Sequence, residues 1–470
     1  MTINPNIFRT YDIRGIADTD LTDDVVYKLG QAYGTYIIAN CKLQIAKLRI
    51  GVGQDVRLSS PIISLSLIRG ILDTGVDVVD LGVLPTPVLY FSVFYYDYDG
   101  GVMVTGSHNP KEYNGFKILK GKETIYGDEI QEIRKIMESN KFKHSTGSPG
   151  SGRLTKKDPF HDYIKLVKKK IKIKHPKKVV LDPGNGTCGP IASRIFRELG
   201  CSVECIHCEP DGNFPAHLPD PTIPEYMEDL IKRVCNTGAD FGIGYDGDGD
   251  RIGVIDELGN IMWGDKLLAI FATPVLKEHP GAPIIFEVKC SEGLREYIKS
   301  LGGIPLMWKT GHSLIKAKMK EEKAPLAGEM SGHMFFADKY YGYDDAIFAS
   351  LRLLEILSNE NRPLSAIGSK ISSYSSTPEI RIDSKDEIKF ELVKQVKDYF
   401  KSRYPIIDID GVRIKFPDGW ALVRASNTQP VIVLRFEAKT NKKLAKIKKE
   451  VMDKLSEIKS KYKQVSKPRI

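Results

Sequence analysis

Three carboxylates alternate with glycine in Asp246-Gly247-Asp248-Gly249-Asp250, and Arg251 follows them. Glycine lets the backbone curl, so the oxygens of Asp246, Asp248 and Asp250 can converge on one hard cation. Without an ion they would repel one another, which makes a Mg2+-type ion the natural partner. An EF-hand calcium loop is the competing reading, since Glu257 falls at its twelfth position. Against it, Arg251 stands where that loop needs glycine, and 241–245 and 252–256 alternate like strands where an EF-hand needs helices.

A second polar loop, Thr105-Gly106-Ser107-His108-Asn109-Pro110, follows the apolar run 102–104 and so lies at a strand exit. It exposes the Ser107 hydroxyl and offers backbone N–H groups that suit a phosphate oxyanion. His108 can orient the hydroxyl or handle its proton, although a capping serine beside a packed histidine reads the same way. Near the C-terminus, Arg424, Ser426, Asn427 and Thr428 gather in one turn ending at Gln429-Pro430. Their guanidinium, hydroxyls and amide match the acceptor oxygens of a phosphate, or make an ordinary polar turn. Glu329, Ser331 and His333, in Gly328-Glu-Met-Ser-Gly-His333, are the groups that grip sugar hydroxyls. Cys201, Cys205, His207 and Cys208, with His217, have the side-chain types of a zinc site. On a strand, however, Cys205 and Cys208 point to opposite faces and no second paired-ligand knuckle follows, so buried thiols are expected.

These loops need elements to hold them, and one local pattern occurs three times. An apolar run (48–55), a helical stretch ending at Asp73 and a second apolar run (76–81) form the first copy. The second comprises 178–182, a helix to Leu199 and 201–206; the third comprises 283–288, a helix to Leu301 and 304–308. Each reads as strand, crossover helix and parallel strand. The last hundred residues differ, with a long polar helix over 384–403 between short alternating runs such as 407–414 and 431–437, an α+β pattern. The Ser/Gly/Lys/Pro-rich stretch 143–153 is the best linker. The expected architecture is three similar mixed α/β domains, 1–152, 153–256 and 257–372, and a C-terminal α+β domain, 373–470.

Composition agrees with a large soluble globular protein. The 470 residues are 41% hydrophobic and 27% charged, which excludes a wholly disordered chain and suits roughly three or four domains. Residues 1–15 show no secretory signal, and seven cysteines fit reduced thiols, so a cytoplasmic location is expected. The longest uncharged stretch, 81–96, holds two prolines and is too short to span a bilayer, which argues against a membrane protein. The net charge of +9 is concentrated in 441–470, with eleven Lys/Arg against three Asp/Glu. Leu444, Ile447, Val451, Leu455 and Ile458 make one helical stripe there, under a solvated basic face. Nucleic-acid binding through that face is the less favoured reading, and it predicts salt-dependent binding.

The four motifs, in this order along the whole chain, closely resemble those of the α-D-phosphohexomutases. Phe8-Arg-Thr-Tyr-Asp-Ile-Arg-Gly15 and Tyr113-Asn-Gly-Phe-Lys117 match as well. The resemblance implies four domains around a central cleft and a phosphorylated Ser107. That serine would pass its phosphoryl group to one end of a hexose monophosphate, giving a hexose 1,6-bisphosphate that serves as intermediate and activator. Mg2+ would be held by Asp246, Asp248, Asp250 and a Ser107 phosphate oxygen, with Arg251 offsetting charge. Lys117 would be the general base, with Arg14 and His312 as further proton-transfer or phosphate-side groups. Tyr11 and Lys289 match substrate contacts, Glu329, Ser331 and His333 the sugar-selecting loop, and Arg424, Ser426, Asn427 and Thr428 the distal phosphate site. The Gly-Glu-Met-Ser-Gly-His form looks like the phosphomannomutase/phosphoglucomutase branch, so mannose and glucose phosphates would both fit.

The expected activity is therefore interconversion of hexose 1- and 6-phosphates by a monomer or homodimer whose partners are small sugar phosphates. Phosphoglucosamine mutase is the nearest alternative. A metal-dependent sugar phosphatase is disfavoured, because a hydrolase need hold only the phosphate it cleaves, whereas a mutase must also hold the far one.

Overall fold

The computed structural model describes residues 3–40, 47–144, 152–360, 362–427 and 429–465. Each expected strand–helix–strand unit is present. Arg49–Gln54, helix Ser60–Asp73 and Asp77–Val83 form the first, with the strands parallel. Lys178–Asp182, helix Gly189–Glu198 and Ser202–Cys205 form the second, and Pro283–Glu287, helix Glu292–Ser300 and Ile304–Trp308 the third. In each, the first strand is near-continuously apolar and buried beneath the crossover helix.

Antiparallel strands complete each sheet and carry the polar loops. Gly100–Val104 runs parallel to Arg49–Gln54 and antiparallel to Tyr113–Lys120, so 105–112 is the loop of a hairpin. Phe241–Tyr245 and Ile252–Asp256 form a second hairpin, closed by the Asp-Gly-Asp-Gly-Asp loop. Strands rather than helices flank that loop, and Glu257 accepts from the Ser365 backbone and hydroxyl, so the EF-hand reading is excluded. Leu326–Gly328 and Met334–Phe336 form a third hairpin, with Glu329, Ser331 and His333 at its turn. The fourth sheet is antiparallel through Ile406–Ile407, Val412–Phe416, Gly419–Ala425 and Val431–Ala438.

A single buried apolar cluster runs through the first three sheets. Helix Thr86–Tyr95, in the uncharged stretch 81–96, is its hub: Val88, Leu89, Phe91 and Val93 have essentially no exposed surface and pack with Tyr163, Phe196, Phe271 and Phe348. The fourth sheet keeps its own core against helices Asp386–Lys401 and Asn441–Val465. It meets the third sheet through a small patch of Val288, Trp420 and Leu422. Arg413 adds hydrogen bonds to the Val288 and Cys290 carbonyls there, at 2.7 and 2.8 Å.

Several details depart from the sequence expectations. The run 407–414 divides into two strands around a turn at 408–411, because Gly411, at φ +75°, reverses the chain. Leu154–Lys156 pairs parallel with Asp77–Val83, so the first sheet extends past the boundary expected at residue 152. Of the expected linker, 145–151 lies outside the described residues. Cys205 and Cys208 are joined in a disulfide, not held as separate thiols. The strand ends at Cys205, and His207 takes a left-handed conformation, φ +50°, so the alternation expected of a strand does not extend to Cys208. Cys188, Cys201 and Cys290 are free and buried, while Cys235 is free and exposed.

The C-terminal helix buries Ile447, Val451, Leu455 and Ile458 and exposes Lys442, Lys443, Lys446, Lys448 and Lys449. Leu455→Ala should therefore destabilise the last unit by about 2–5 kcal/mol. Exposed Lys446→Ala should change stability by no more than about 0.5 kcal/mol. Denaturant titration of both variants checks the pair of values.

Candidate active site

The acidic and serine hairpins meet tip to tip. Ser107 Oγ donates to Asp246 Oδ2 at 2.9 Å and lies 3.1 Å from His108 Nδ1. Asp246 Oδ1 accepts from the backbone N–H groups of Asp250 and Arg251, at 3.0 and 3.1 Å, which closes the acidic turn. The approach needs glycine: a Cβ on Gly247 would stand 2.6 Å from the Ser107 carbonyl oxygen. Gly249, at φ +75°, adopts the left-handed backbone that glycine tolerates best. Ser107 itself has φ +48°, a conformation that costs a non-glycine residue roughly 1–3 kcal/mol and that its surroundings must impose.

Two residues missed in the sequence supply that constraint. Arg57, 1% exposed, donates to the carbonyl oxygens of Ser107, Asn109, Pro110 and Tyr113 at 2.5–3.0 Å. Asp55 holds Arg57 Nε at 3.2 Å and accepts from Thr105 Oγ1, Gly106 N and Ser60 Oγ. The available signal was position: Asp55 and Arg57 follow a parallel strand at its carboxyl end, where α/β sheets place their sites.

Charge is balanced by residues from three sheets. Lys117 Nζ donates to Asp248 Oδ2 at 2.6 Å and also to Asp250. Burial alone would lower the Lys117 pKa, but Asp248, Asp250 and Asp246 overcome it and hold the ammonium above its ordinary value. Burial, with Asp250 and Asp248 next to it, pushes the Asp246 carboxyl well up. Asp248 Oδ1 and Asp250 Oδ1 are buried with no hydrogen-bond partner among the described residues. One oxygen from each of the three aspartates lies within 4.8 Å of the others. Orphaned oxygens, convergent geometry and an all-oxygen donor set fit a hard divalent cation.

Around this centre, Arg251 Nε donates to His333 Nε2 at 3.0 Å, and its Nη1 is 3.5 Å from His108 Nε2. His333 Nδ1 then faces Asp344 Oδ2 at 3.1 Å. His312 stacks on His333, and its Nδ1 is 3.5 Å from the same carboxylate, whose other oxygen accepts from Lys316 at 3.0 Å. Burial lowers His312 and His108 well below the usual imidazole range, with Lys316 and Arg251 respectively adding to it. Arg14 is held at the serine loop by Asn109 Oδ1 (3.0 Å) and Asp12 (2.6 Å).

A second group lies where the third and fourth sheets meet the N-terminal segment. Tyr11 OH donates to the Thr310 carbonyl at 2.7 Å and accepts from Asn427 Nδ2 at 2.8 Å. Arg424 Nε donates to Asp410 Oδ2 at 2.6 Å, and Thr310 N donates to the same oxygen. Asp410 was not legible beforehand, because its turn falls inside the run read as a single strand. Glu329 Oε1 accepts from Gly311 N at 2.6 Å and Ser331 donates to Oε2 at 3.2 Å. Lys289 pairs with Glu379 at 3.2 Å, and Ser426 accepts from Gln429 N. Thr428 lies outside the described residues. Thus His333 and His312 belong with the carboxylate network, while Glu329 lies beside the Tyr11–Arg424 group. A cavity of about 1250 Å3 between the first and third sheets, lined by Tyr90, Phe94 and Lys320, contains none of the motif residues.

Family descriptions match almost the whole chain in order. Residues 5–144, 161–259 and 263–374 match phosphoglucomutase/phosphomannomutase alpha/beta/alpha domains I, II and III, and 379–454 match its C-terminal domain. The chain belongs to the phosphoglucomutase/phosphomannomutase family. It is 46% identical over 448 residues to the phosphomannomutase/phosphoglucomutase of Pseudomonas aeruginosa, covering 95% of both chains. It is 42% identical to the phosphoglucomutase of Neisseria gonorrhoeae, covering 95% of this chain and 96% of that one. The crystal structure of a family member from Burkholderia thailandensis superposes with a TM-score of 0.90 at 41% identity, covering 97% and 98% of the two chains.

If Arg57 imposes the serine-loop conformation, Arg57→Ala leaves buried Asp55 unpaired and four carbonyls without their donor. The expected cost is about 3–5 kcal/mol in denaturant unfolding. Arg57→Lys should recover only part of it, because an ammonium lacks the planar fork.

Proposed function

We propose that this chain interconverts hexose 1- and 6-phosphates, of mannose or glucose, through a phosphoserine at Ser107 and a hexose 1,6-bisphosphate. The observation that carries the reading is the two-ended site. Ser107 and the acidic loop make one end; Arg424, Ser426, Asn427 and Tyr11 make the other, with Glu329 beside it. A phosphatase has no need of the second end.

Asp246, Asp248, Asp250 and the phosphorylated Ser107 would hold Mg2+. When bound, that ion neutralises the carboxylates and the oxygens of the transferring phosphoryl group. With the carboxylates neutralised, burial is left to pull Lys117 down toward a usable base. Lys117 Nζ takes the proton of the attacking sugar hydroxyl as its oxygen bonds to phosphorus and the bond from phosphorus to Ser107 Oγ breaks. His108, kept neutral by burial and 3.1 Å from Oγ, orients the leaving serine oxygen, which takes up the proton that Lys117 removed from the sugar hydroxyl. Arg251, beside His108, and Arg14, held at Asn109, supply positive charge to offset the departing charge. The bisphosphate then turns end for end, and the Arg424 loop holds whichever phosphate is not reacting. Glu329 and Ser331 bind sugar hydroxyls common to both hexoses, which leaves the 2-position loosely read.

A coupled assay with Mg2+ and trace glucose 1,6-bisphosphate, given glucose 1-phosphate or mannose 1-phosphate, tests this. Both 6-phosphates should form, Ser107→Ala should abolish turnover, and Lys117→Met should lower kcat by roughly 10²–10⁴-fold. Release of inorganic phosphate faster than isomer formation would instead make the protein a phosphatase.

A further inference from the structure

Behind the acidic loop, at the carboxyl end of the second sheet, lies a cluster that this chemistry does not use. Asp182 ends strand Lys178–Asp182, His207 follows strand Ser202–Cys205, and His217 lies on the loop that runs on toward Asp220. One ligand atom from each lies within 4.8 Å of the others. The two imidazole rings stand perpendicular, 5.4 Å apart, so they converge without stacking.

The hydrogen bonding leaves acceptor atoms facing one another. His217 Nδ1 is 2.9 Å from the Leu218 carbonyl oxygen, which can only accept, so Nδ1 carries the hydrogen. In the neutral ring Nε2 is then a lone pair, and it faces Asp182 Oδ2 at 3.2 Å. Two acceptors face each other and need a cation or an extra proton between them. The other Asp182 oxygen is fixed by Gly184 N at 2.9 Å, and an imidazole tied at Nδ1 to a carbonyl is the usual posture of a metal-ligating histidine. His207 Nε2 is buried with no hydrogen-bond partner among the described residues, and Asp229 Oδ2 stands 3.6 Å from it. The Cys205–Cys208 disulfide brackets His207 and holds its left-handed turn. With 27% of its side chain exposed, His207 leaves an entry path.

We propose that Asp182, His207 and His217 form a second metal site, distinct from the acidic loop, that takes a borderline divalent cation of the zinc type. Two imidazoles and a carboxylate select such an ion over Mg2+, which prefers oxygen alone. The disulfide removes the two nearest sulfurs from the ligand set, so the site is nitrogen and oxygen only, with water completing it. Its consequence is structural. The loop between the two histidines packs Gly212 against the Val56–Arg57 backbone, and Pro219, two residues past His217, packs against Gly247, so a bound ion would brace both halves of the catalytic junction from behind.

The test uses the full-length, untagged, disulfide-intact protein with excess Mg2+ to occupy the acidic loop and Co2+ as the spectroscopic probe. Wild type should bind one Co2+ with a visible band typical of low-coordinate nitrogen and oxygen ligation, and added Zn2+ should bleach it. His207→Asn, which tolerates the left-handed backbone, should lose the band while keeping Mg2+-supported turnover. Absence of the band in wild type, its persistence unchanged in His207→Asn, or a thiolate-to-cobalt charge-transfer band would each overturn the assignment.

Discussion

Asp246, Asp248, Asp250 and Asp344 are fully buried and connected in one network, and their charge is the constraint around which the molecule is arranged. Isolated buried carboxylates are too costly to persist, so each must be paired or hydrogen-bonded. Lys117 answers for two of them, Arg251 and His333 reach across from the second and third sheets, and Lys316 holds the fourth. These partners come from different sheets, so the hairpins can meet only when three folded units are packed together. The shared core around helix Thr86–Tyr95 supplies that packing. Backbone hydrogen bonds from Thr86 N to Asp248 O (2.8 Å) and Ala346 N to Gly249 O (3.1 Å) tie the acidic loop to both neighbours.

The fourth unit stands apart from this arrangement. It keeps its own core and meets the others through a small apolar patch, buried arginines on carbonyl oxygens, and the Tyr11–Asn427 hydrogen bond. On the proposed reading, a phosphate-holding loop on the fourth unit suits a site that must admit a sugar phosphate and enclose it. On the same reading, three units joined through one core fix the reacting groups, and the fourth supplies the grip.

Much of this was legible in the sequence because the signals were local. The three strand–helix–strand units, the hairpin around Asp246–Asp250 and the buried stripe from Ile447 to Ile458 follow from residue periodicity, which tertiary structure did not override. Ser107, His108 and the aspartates announced themselves by type and spacing, and Lys117 through the family resemblance. What was not legible depends on distant pairing. Arg57 acts through backbone carbonyls and Asp55 through Thr105 and Gly106, all about fifty residues away, Asp410 acts through Arg424, and Asp344 through His333 and His312. The Cys205–Cys208 disulfide was missed because a left-handed residue interrupts the strand geometry on which the opposite expectation rested.

The central claim is that buried charge at the junction of two hairpins serves to move a phosphoryl group off Ser107 and onto a sugar. Protein labelled at Ser107 with radioactive phosphate, mixed with glucose 1-phosphate and Mg2+ and quenched within a single turnover, tests it most directly. The account predicts that label leaves the protein and appears in glucose 1,6-bisphosphate, and that chelation of the metal blocks the transfer. Label that remains on Ser107 in the presence of sugar and metal, or that appears only as inorganic phosphate, would contradict it.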